Sequence, residues 1–494
     1  MGAGKYIIKA KSLKASILKT FNPDSLLSVR DVCTILGADL PKGIDPDKKF
    51  SIICTYEGSI IKDCLYVQYE RNSDGAARYG MRKGAAAVLS AKQIDDIPCI
   101  IVPDVLTALR KLCSSLYEKI RVPATVVTGS IGKTTTKNFF NCVYSQQYRT
   151  FCNITNGNTF EYLAFEIQRF DKKSELFIQE ANESDPFNAS NCSLVLKPEI
   201  AAITNMDKSH IGELGSEENI MKAIASITDG MDENGIVLIN GDDPNSNKVE
   251  FKQKVIKVAI NNKDADCLAE NIDATDEYVE FDVVYGEEKT HLKINVGGVH
   301  NVYNAMMAYV AGRLHNIPAN KIANGLESYR PLGFRQNIYT ESGNTIYADC
   351  YNASARSIES AINVVNSMER KSGGKKIAVL GDIGEIEGHE EETYREIGET
   401  VSASDIDVMI SYGTDSELIH KYLTKPELTA HHAKTAEELN SLVLANKGGR
   451  DIWLFKASRM MNLEKTIKEM FPRAYIKGML PVWKEYLKWT IKTL

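Results

Sequence analysis

Apolar and polar positions along the chain divide it into three segments, of which residues 1–120 form the first. Alternating apolar and polar residues predict two strands in "FSIICTYEGSIIKDCLYVQYE". A helix, a glycine and a short strand are predicted in "GAARYGMRKGAAAVLSA". The segment "VPDVLTALRKLCSSLYEKI" predicts an amphipathic helix, whose apolar positions at helical spacing are Val105, Leu109, Leu112 and Leu116.

The second segment, residues 121–330, alternates strand and helix patterns. Strands are predicted in "ATVVTG", "ELFIQEA", "IAAITN" and "GIVLINGDD", with a small β excursion over 250–295 and a helix in "HNVYNAMMAYVAGRLHN". This alternation is typical of a parallel sheet covered by helices on both faces. Such sheets bind ligands beyond the carboxyl ends of their strands, so polar residues at those ends are candidates for chemistry.

The third segment, residues 331–494, repeats the same type of pattern. Its strands are predicted in "TIYADC", "KIAVLGD", "DVMISYG" and "IWLFKAS", and residues 477–494 add an amphipathic helix. A second doubly wound unit is therefore expected, and the fold class is predicted to be α/β with three domains.

The stretch "VVTGSIGKTTTKNFF" contains the most informative turn of the sequence. Gly129 and Gly132 permit backbone conformations in which successive N–H groups turn toward one anion. Lys133 would reach the terminal phosphates of a nucleotide, and the Thr134 hydroxyl would ligate Mg²⁺. The strict phosphate-loop pattern has a glycine where Val127 stands, so an ordinary glycine turn with a solvated lysine is the alternative. The order strand, turn and helix favours nucleotide binding.

Composition limits the classes of partner. The 494 residues carry a formal net charge of −6, which argues against a broad basic surface for nucleic acid or anionic lipid. No apolar run approaches the roughly 20 residues that cross a bilayer. The basic N-terminus lacks the apolar core of a secretion signal and is expected to form a solvated helix. Ten cysteines without a C-x-x-C pair predict reduced thiols in a cytoplasmic protein.

Polar residues follow several other predicted strands. Glu180 and His210 would lie beside the glycine-rich turn and suit a second Mg²⁺, although a surface glutamate and a capping or core histidine are the plainer alternatives. Near the join of the second and third segments, Arg335 could neutralise a γ-phosphate when domains close, and Asp349 could accept hydrogen bonds from ribose. Asn301 lies near the same join.

Two further groups in the third segment are open to two interpretations. The stretch "VLGDIGEIEGHEE" is interpreted either as a metal site or as an exposed loop, and the loop is favoured; its candidate ligands are Asp382, Glu385, Glu387 and His389. Lys456 and Arg459 in "FKASRMMNLE" would bind a carboxylate or phosphate, or cap a helix.

Taken in order, these motifs resemble those of the Mur ligases, ATP-dependent amide ligases of peptidoglycan synthesis. The resemblance covers nearly the whole chain through "TGSIGKTTTK", "IQEANES", "TNMDKSHIGELGS", "INGDDPN", "GVHNVYNAMMA", "ADCYNAS" and "VLGDIGEIEGHE". The stretches "DCYNA" and "LGD" favour the branch that adds D-alanyl-D-alanine over the branch that adds the third amino acid. The resemblance implies a three-domain Mur ligase architecture, with a central P-loop parallel sheet and a C-terminal Rossmann-like domain.

The same resemblance implies a role for each segment. Residues 1–120 would bind a UDP-sugar-type substrate, residues 121–330 would bind ATP, and residues 331–494 would form the ligase domain with an extra terminal helix. A substrate carboxylate would attack the γ-phosphate of ATP to give an acyl phosphate, which an amine then converts to an amide. The implied substrates are a UDP-linked muramyl peptide and a dipeptide, and the implied cofactors are ATP and Mg²⁺. A monomer is expected.

Site residues carry over by position. The residues expected to be catalytic are Lys133, Glu180, His210 and Arg335. Those expected to bind ATP are Gly129, Ser130, Gly132, Lys133, Thr134, Thr135, Asn301 (adenine), Arg335 and Asp349 (ribose). Those expected to bind the other substrates are Asn153, Asn156, Asn158, Tyr351, Asn352 and Lys456. The expected metal ligands are Thr134, Glu180 and His210.

Three positions depart from the family pattern. The carbamylated lysine that helps to hold a second Mg²⁺ in the family is replaced by Ile224, and Lys222, two residues away, would point to another helix face. The "D-S-R" that meets the uridine nucleotide is replaced by "TYEGS" at 55–59, and "KGS" reads "KAS" at 456–458. These departures leave open a paralogue that acts on another carboxylate and a nucleotide-binding scaffold without catalysis. Folate-type glutamyl ligation is a further relative, against which the N-terminal segment argues.

Overall fold

The structure is a computed structural model that describes residues 26–69, 72–153, 157–331 and 333–479. Asn156, the helix expected at the start of the chain and residues 480–494 of the helix expected at its end lie outside the described residues. Within the described ranges no helix combines the length and the apolar character needed to cross a bilayer.

The first unit is built on a parallel sheet of four strands in the order β1-β2-β3-β4. Its helices and strands are α1 (Val29–Leu36), β1 (Ile53–Cys54), β2 (Leu65–Val67), α2 (Asp74–Lys83), β3 (Ala87–Ser90), β4 (Cys99–Ile101) and α3 (Val105–Glu118). The Asp104 side chain begins α3 by accepting a hydrogen bond from Thr107 N, 2.6 Å away. The four apolar positions predicted on α3 are all buried.

The central unit contains a sheet of nine strands in the order β13-β12-β11-β10-β9-β8-β5-β7-β6, parallel from β6 to β11 and antiparallel at the β11-β12-β13 edge. Its strands are β5 (Ala124–Thr128), β6 (Thr150–Cys152), β7 (Leu176–Glu180), β8 (Ile200–Ile203), β9 (Ile236–Asn240), β10 (Lys254–Ala259), β11 (Cys267–Ala274), β12 (Val279–Tyr285) and β13 (Glu288–Ile294). Its helices are α4 (Lys133–Tyr144), α5 (Phe160–Gln168), α6 (Asn188–Leu196), α7 (Ile211–Leu214), α8 (Glu217–Ala225), α9 (His300–Leu314) and α10 (Ala319–Glu327). Because β5 lies between β7 and β8, the residues that follow these three strands meet at one edge of the sheet.

The third unit is a six-stranded sheet in the order β14-β15-β19-β16-β17-β18, in which only β14 is antiparallel to its neighbour. Its elements are β14 (Asn337–Glu341), β15 (Asn344–Ala348), α11 (Ala355–Ser367), β16 (Lys376–Gly381), α12 (Glu390–Ser402), β17 (Val408–Tyr412), β18 (Thr429–Ala433), α13 (Ala436–Asn446), β19 (Ile452–Lys456) and α14 (Glu464–Met470). A helical stretch at 472–479 follows at the limit of the described residues.

The first and central units share a hydrophobic core. Leu109 and Leu112 on α3 belong to the same buried cluster as Ala189 and Cys192 on α6. The Gln168 side chain adds a polar link, since its Oε1 accepts a hydrogen bond from Ile53 N at 2.7 Å. These two units are therefore joined by apolar packing, which gives the central sheet a fixed support.

The predicted α/β class with parallel sheets is confirmed. Every strand that the sequence pattern predicted in the second and third segments is present, and the β excursion forms the antiparallel edge of the central sheet. Strands β4, β6, β14 and β18 and helices α1 and α10 lie outside the stretches for which an element was predicted. The ten cysteines all lie in the described ranges and form no disulfide bond there, and eight of them are buried. The domain boundaries at 120 and 330 stay predictions.

Candidate active site

A cavity of about 370 Å³ lies between the central and third units. The central unit contributes the turn after β5 and the ends of the neighbouring strands, and the third unit contributes the segments after β15 and β16. A cavity of this size suits a small-molecule ligand. The predicted site residues that line it are Ser130, Gly132, Lys133, Thr134, Thr135, Asn158, Glu180, His210, Arg335, Asp349, Tyr351, Asn352 and Lys456.

The turn between β5 and α4 has the conformation that an anion-binding loop needs. Gly129 and Gly132 have φ angles of 122° and 90°, in the left-handed region that favours glycine. The Asn205 side chain pins the turn, since its Oδ1 accepts from Ile131 N at 3.0 Å and its Nδ2 donates to Ile131 O at 2.9 Å. No described side chain caps α4, so its first N–H groups remain available to a phosphate.

Lys133 extends along this turn toward a buried carboxylate. Its Nζ donates to Gly129 O at 2.5 Å and to Glu183 Oε1 at 2.7 Å. Glu183 is fully buried, and its second oxygen has no hydrogen-bond partner within the described part of the chain. The buried carboxylate holds the ammonium group at the cavity wall, where it can exchange these partners for phosphate oxygens.

Glu180, at the end of β7, is placed by two asparagines. Asn153 Oδ1 accepts from Glu180 N at 2.9 Å, and Asn158 Nδ2 donates to Glu180 Oε1 at 3.0 Å. Glu180 is 1% exposed; its Oε2 lies 3.6 Å from Lys137 Nζ and accepts no hydrogen bond from any described group. A buried carboxylate oxygen left without a hydrogen bond fits a cation ligand, so Glu180 and Thr134, which lines the same cavity, suit Mg²⁺.

His210 immediately precedes α7 and has a left-handed backbone, with φ of 59°. Its Nδ1 lies 2.8 Å from Glu385 Oε2 and 3.2 Å from Glu213 Oε2, and its Nε2 lies 3.6 Å from Glu183 Oε1. Burial lowers the pKa of His210, but Glu385 and Glu183 raise it by more, so the net change is upward. Burial, and then the charge of Glu385, raise the pKa of Glu213.

The third unit supplies the opposite wall of the cavity. The Arg335 guanidinium lies 3.4 Å from the centroid of the Tyr351 ring, a cation–π contact that fixes its direction. Lys456 is 2% exposed and its Nζ donates to Asp349 Oδ2 at 2.7 Å and to Asn352 O at 3.0 Å. These contacts join the ends of β15 and β19 at the cavity.

Three predicted residues lie behind the cavity wall. Gly129 belongs to the phosphate loop, and its carbonyl oxygen accepts a hydrogen bond from Lys133. Asn153 positions Glu180 by accepting a hydrogen bond from its main-chain N–H. Asn301 is fully buried, and its Nδ2 donates to Gln336 Oε1 at 2.8 Å; Gln336 itself lines the cavity.

Sequence reasoning missed three residues at this site, and it named a fourth, Glu385, as a candidate ligand but favoured an exposed loop. Glu183 stands in the quoted motif "IQEANES" three residues after Glu180, and Lys137 follows Lys133 by one helical turn, so both could have been found from spacing. Glu213 gave no comparable signal. Glu385 was interpreted as part of an exposed loop, but its carboxylate contacts His210, whereas Glu387 is exposed.

The position of the family's carbamylated lysine is filled differently here. Ile224 is fully buried in the hydrophobic core, and Lys222 is exposed, with its Nζ 2.7 Å from Glu218 Oε1. Lys222 therefore points away from the cavity and does not replace the missing lysine.

Comparisons with known proteins agree with this geometry. Residues 127–312 match the Mur ligase middle domain, and residues 335–459 match the Mur ligase, glutamate ligase domain. The UDP-N-acetylmuramoyl-tripeptide–D-alanyl-D-alanine ligase of Bacillus subtilis is 33% identical over 397 residues, covering 78% of this chain and 85% of that protein.

Two solved structures have the same fold. MurF from Acinetobacter baumannii superposes with a TM-score of 0.81 at 20% identity, over 90% of this chain and 98% of its own. MurF ligase from Thermotoga maritima, determined in complex with ADP, superposes with a TM-score of 0.74 at 21% identity, over 86% of this chain and 98% of its own. The cavity motifs, the matched domains and the Bacillus relative together lead to one conclusion: the chain belongs to the Mur ligase family.

Proposed function

We propose that this chain is an ADP-forming amide ligase that joins a dipeptide such as D-alanyl-D-alanine to a UDP-N-acetylmuramoyl peptide. The observation that carries the proposal is one cavity in which the phosphate loop of the central unit faces Arg335, Tyr351 and Lys456 of the third unit. The Bacillus relative, whose name states this reaction, supports the choice of substrates.

In the first step a carboxylate oxygen of the muramyl peptide attacks the γ-phosphorus of ATP. The bond from that phosphorus to the β–γ bridging oxygen breaks, and ADP leaves. Lys133 neutralises the phosphate oxygens from one wall, and Arg335 does so from the other. Positioning and charge neutralisation of this kind account for most of the catalysis of phosphoryl transfer.

Mg²⁺ fits the central wall through the Thr134 hydroxyl, the Glu180 carboxylate and His210. When bound, the cation offsets the negative charge that gathers on the transferred phosphoryl group. The support from this chain's own atoms is the buried Glu180 Oε2, which lacks a hydrogen bond from any described group. Asn158 keeps the other oxygen of Glu180 in place at 3.0 Å.

In the second step the amine of the dipeptide attacks the acyl carbon of the acyl phosphate. The bond from carbon to the phosphate oxygen breaks, phosphate leaves and the nitrogen loses a proton. Tyr351 and Asn352 are on the cavity wall of the third unit, where the dipeptide would bind. Phosphorylation is required because a free carboxylate has no adequate leaving group.

Nucleotide recognition would involve both sides of the cavity. Asp349 lines it, and its carboxylate can accept hydrogen bonds from ribose hydroxyls. Asn301 lies behind Gln336, so its influence on the adenine would pass through that side chain. We further infer a monomer, since the cavity is formed within one chain, and action in the cytoplasm, since the ten cysteines form no disulfide within the described residues.

The test is ADP release by the purified chain with ATP, UDP-muramyl tripeptide and D-alanyl-D-alanine. Release should depend on both peptide substrates, and Lys133→Ala should lower it by about 10²- to 10³-fold, because one preorganised charge on the phosphates is lost. Lys222→Ala is the matched control, since Lys222 is exposed and pairs only with Glu218 among the described residues. Equal activity of Lys133→Ala and the wild type would refute the assignment.

A second candidate function is ligation by a paralogue that activates a different acid. The "TYEGS" segment favours it: Tyr56 is 42% exposed and stacks on Tyr162 with ring centroids 5.9 Å apart, where the family pattern has "D-S-R". Turnover with another carboxylate, together with no response to the muramyl tripeptide and dipeptide, would select this candidate.

A further inference from the structure

His210, Glu213 and Glu385 bring three potential ligand atoms within 4.8 Å of one another. His210 Nδ1 is the centre of the group, with the nearer oxygen of Glu385 at 2.8 Å and that of Glu213 at 3.2 Å. The His210 side chain is 10% exposed, and Nδ1 is buried without a regular hydrogen bond to any described residue. A buried ring nitrogen with two carboxylate oxygens within hydrogen-bonding distance, but neither aligned for a regular hydrogen bond, is an arrangement that a cation would complete.

The charges of Glu213 and Glu385 also favour a bound cation. Neither Glu213 nor Glu385 has a lysine or arginine partner in the described part of the chain, and each approaches the other across His210. Two carboxylates that share a site repel each other unless a positive charge lies between them. A protonated His210 supplies one positive charge and a divalent cation would supply two, and the mixture of one imidazole and two carboxylates is a ligand set that Mn²⁺, Zn²⁺ and Mg²⁺ accept.

The group is held by two units at the level of the backbone. His210 immediately precedes α7 and Glu213 lies within it in the central unit, and Glu385 lies in the loop after β16 in the third unit. Gly212 N donates to Glu385 O at 3.1 Å. A Cβ at Gly212 would lie 2.7 Å from Glu387 N, so glycine is what lets α7 approach this loop. The position of Glu385 next to His210 is therefore fixed by packing of the main chain.

We propose that His210, Glu213 and Glu385 form a divalent-cation site in which two carboxylates take the place of the carbamylated lysine. The family's lysine position is occupied by Ile224, which is fully buried in the core and offers no ligand. Because Glu385 belongs to the third unit, a cation bound at this site would link that unit to the central unit. The proposal rests on the proposed function only for Mg²⁺ as the physiological ion; the site itself requires no particular acid or amine.

The test is Mn²⁺ binding to the full chain without nucleotide, followed by electron paramagnetic resonance of the free ion. The wild type should bind Mn²⁺, and Glu213→Gln and Glu385→Gln should each raise its dissociation constant by about tenfold or more. Glu387→Gln, which removes a charge from the same loop without removing a proposed ligand, should leave it unchanged. Circular dichroism verifies that each variant is folded.

A second readout identifies the ligand directly. Pulsed resonance of the bound Mn²⁺ should detect coupling to a ¹⁴N nucleus, and His210→Gln should abolish it. Failure of the wild type to bind Mn²⁺, or unchanged affinity in both glutamate variants, would overturn the proposal and leave an ion-paired cluster. Loss of ligase activity on all tested acids, with Mn²⁺ binding intact, would instead contradict only the proposed function.

Discussion

Buried glutamates control the two lysines of helix α4. Glu183 lies 2.7 Å from Lys133 Nζ, and Glu180 lies 3.6 Å from Lys137 Nζ. Both carboxylates are excluded from water, where charge interactions are stronger than at the surface. The positive charge of Lys137, which does not line the cavity, therefore offsets part of the negative charge of Glu180. Lys133 lies at the cavity wall, where it can contact the nucleotide.

The conformation of the phosphate loop also depends on the absence of a side chain at Gly129. A Cβ on Gly129 would lie 2.3 Å from Thr204 Oγ1 and 2.8 Å from Asn205 O, at a φ that other residues rarely adopt. Asn205 holds the loop at Ile131, so displacement of Asn205 would move the N–H groups that face the phosphates.

Gly129→Ala is accordingly expected to abolish ATP binding and to lower the free energy of unfolding. Gly373→Ala is the control, since Gly373 also has a positive φ, of 78°, but no atom within 4 Å of a new Cβ. The control should lose about 1 kcal/mol from the backbone strain alone. Gly129→Ala should lose about 1–3 kcal/mol more, because the new atom must displace its neighbours. Calorimetric titration with ATP and denaturant unfolding measure both effects; equal losses in the two variants would contradict the clash.

At the scale of elements, the contact between α7 and the loop after β16 sets the geometry of the His210 cluster. The N–H of Gly212 donates to Glu385 O, and a Cβ at Gly212 would meet both the side chain and the main chain of Glu387. Two residues of the contact, His210 and Glu385, have left-handed backbones with φ of 59° and 67°. Such conformations outside glycine persist where the surrounding structure enforces them.

Gly212→Ala is expected to weaken Mn²⁺ binding by about tenfold or more, since a displaced support of a ligand has effects of this order. The new Cβ would meet the main chain at Glu387 N, 2.7 Å away, and push the loop that carries Glu385. Gly449→Ala serves as the control, because its Cβ would enter open space. Mn²⁺ affinity that is the same in both variants would show that the contact does not position Glu385.

Most strands were predictable from the sequence, but strands at the edge of the third sheet were not. The alternation of "ATVVTG", "ELFIQEA" and "IAAITN" with helices predicted strands β5, β7 and β8 and the edge where the site lies. Strand β18, "TAHHA", was missed because four of its five residues are not buried, so no apolar run marks it. Strand β14 was missed for a related reason, since two of its five residues are buried.

At the scale of the whole molecule, ion pairs between the central and third units border the cavity. Lys208 Nζ lies 2.7 Å from Glu392 Oε1, and Arg356 lies 3.8 Å from Asp243 Oδ1. The exposed Lys208–Glu392 pair contributes little, about 0–1 kcal/mol, whereas the Arg356–Asp243 pair has one buried partner. Neither pair is part of a hydrophobic contact between the units. They orient the third unit over the phosphate loop without preventing it from moving, which substrate entry requires.

Most of the site residues that could be predicted from the sequence lie in local motifs. Lys133, Glu180 and His210 were expected together because each lies in a recognisable motif. Arg335 was expected from its place near the join of the second and third segments, and all four line one cavity. Glu385 could not be placed, because its contact with His210 joins positions 175 residues apart across two units and no local pattern encodes that packing. The sequence shows that Ile224 replaces the lysine. Only the folded structure shows that the carboxylates of Glu213 and Glu385 lie beside His210.

The central claim is that this cavity activates a carboxylate by phosphorylation, with both units in contact with ATP. The most direct measurement uses muramyl tripeptide whose reacting carboxylate carries ¹⁸O, together with ATP and D-alanyl-D-alanine, and mass spectrometry of the released phosphate. The account predicts that each amide formed leaves one labelled oxygen in phosphate, because the acyl oxygen departs with it. Amide formation with unlabelled phosphate would contradict the account.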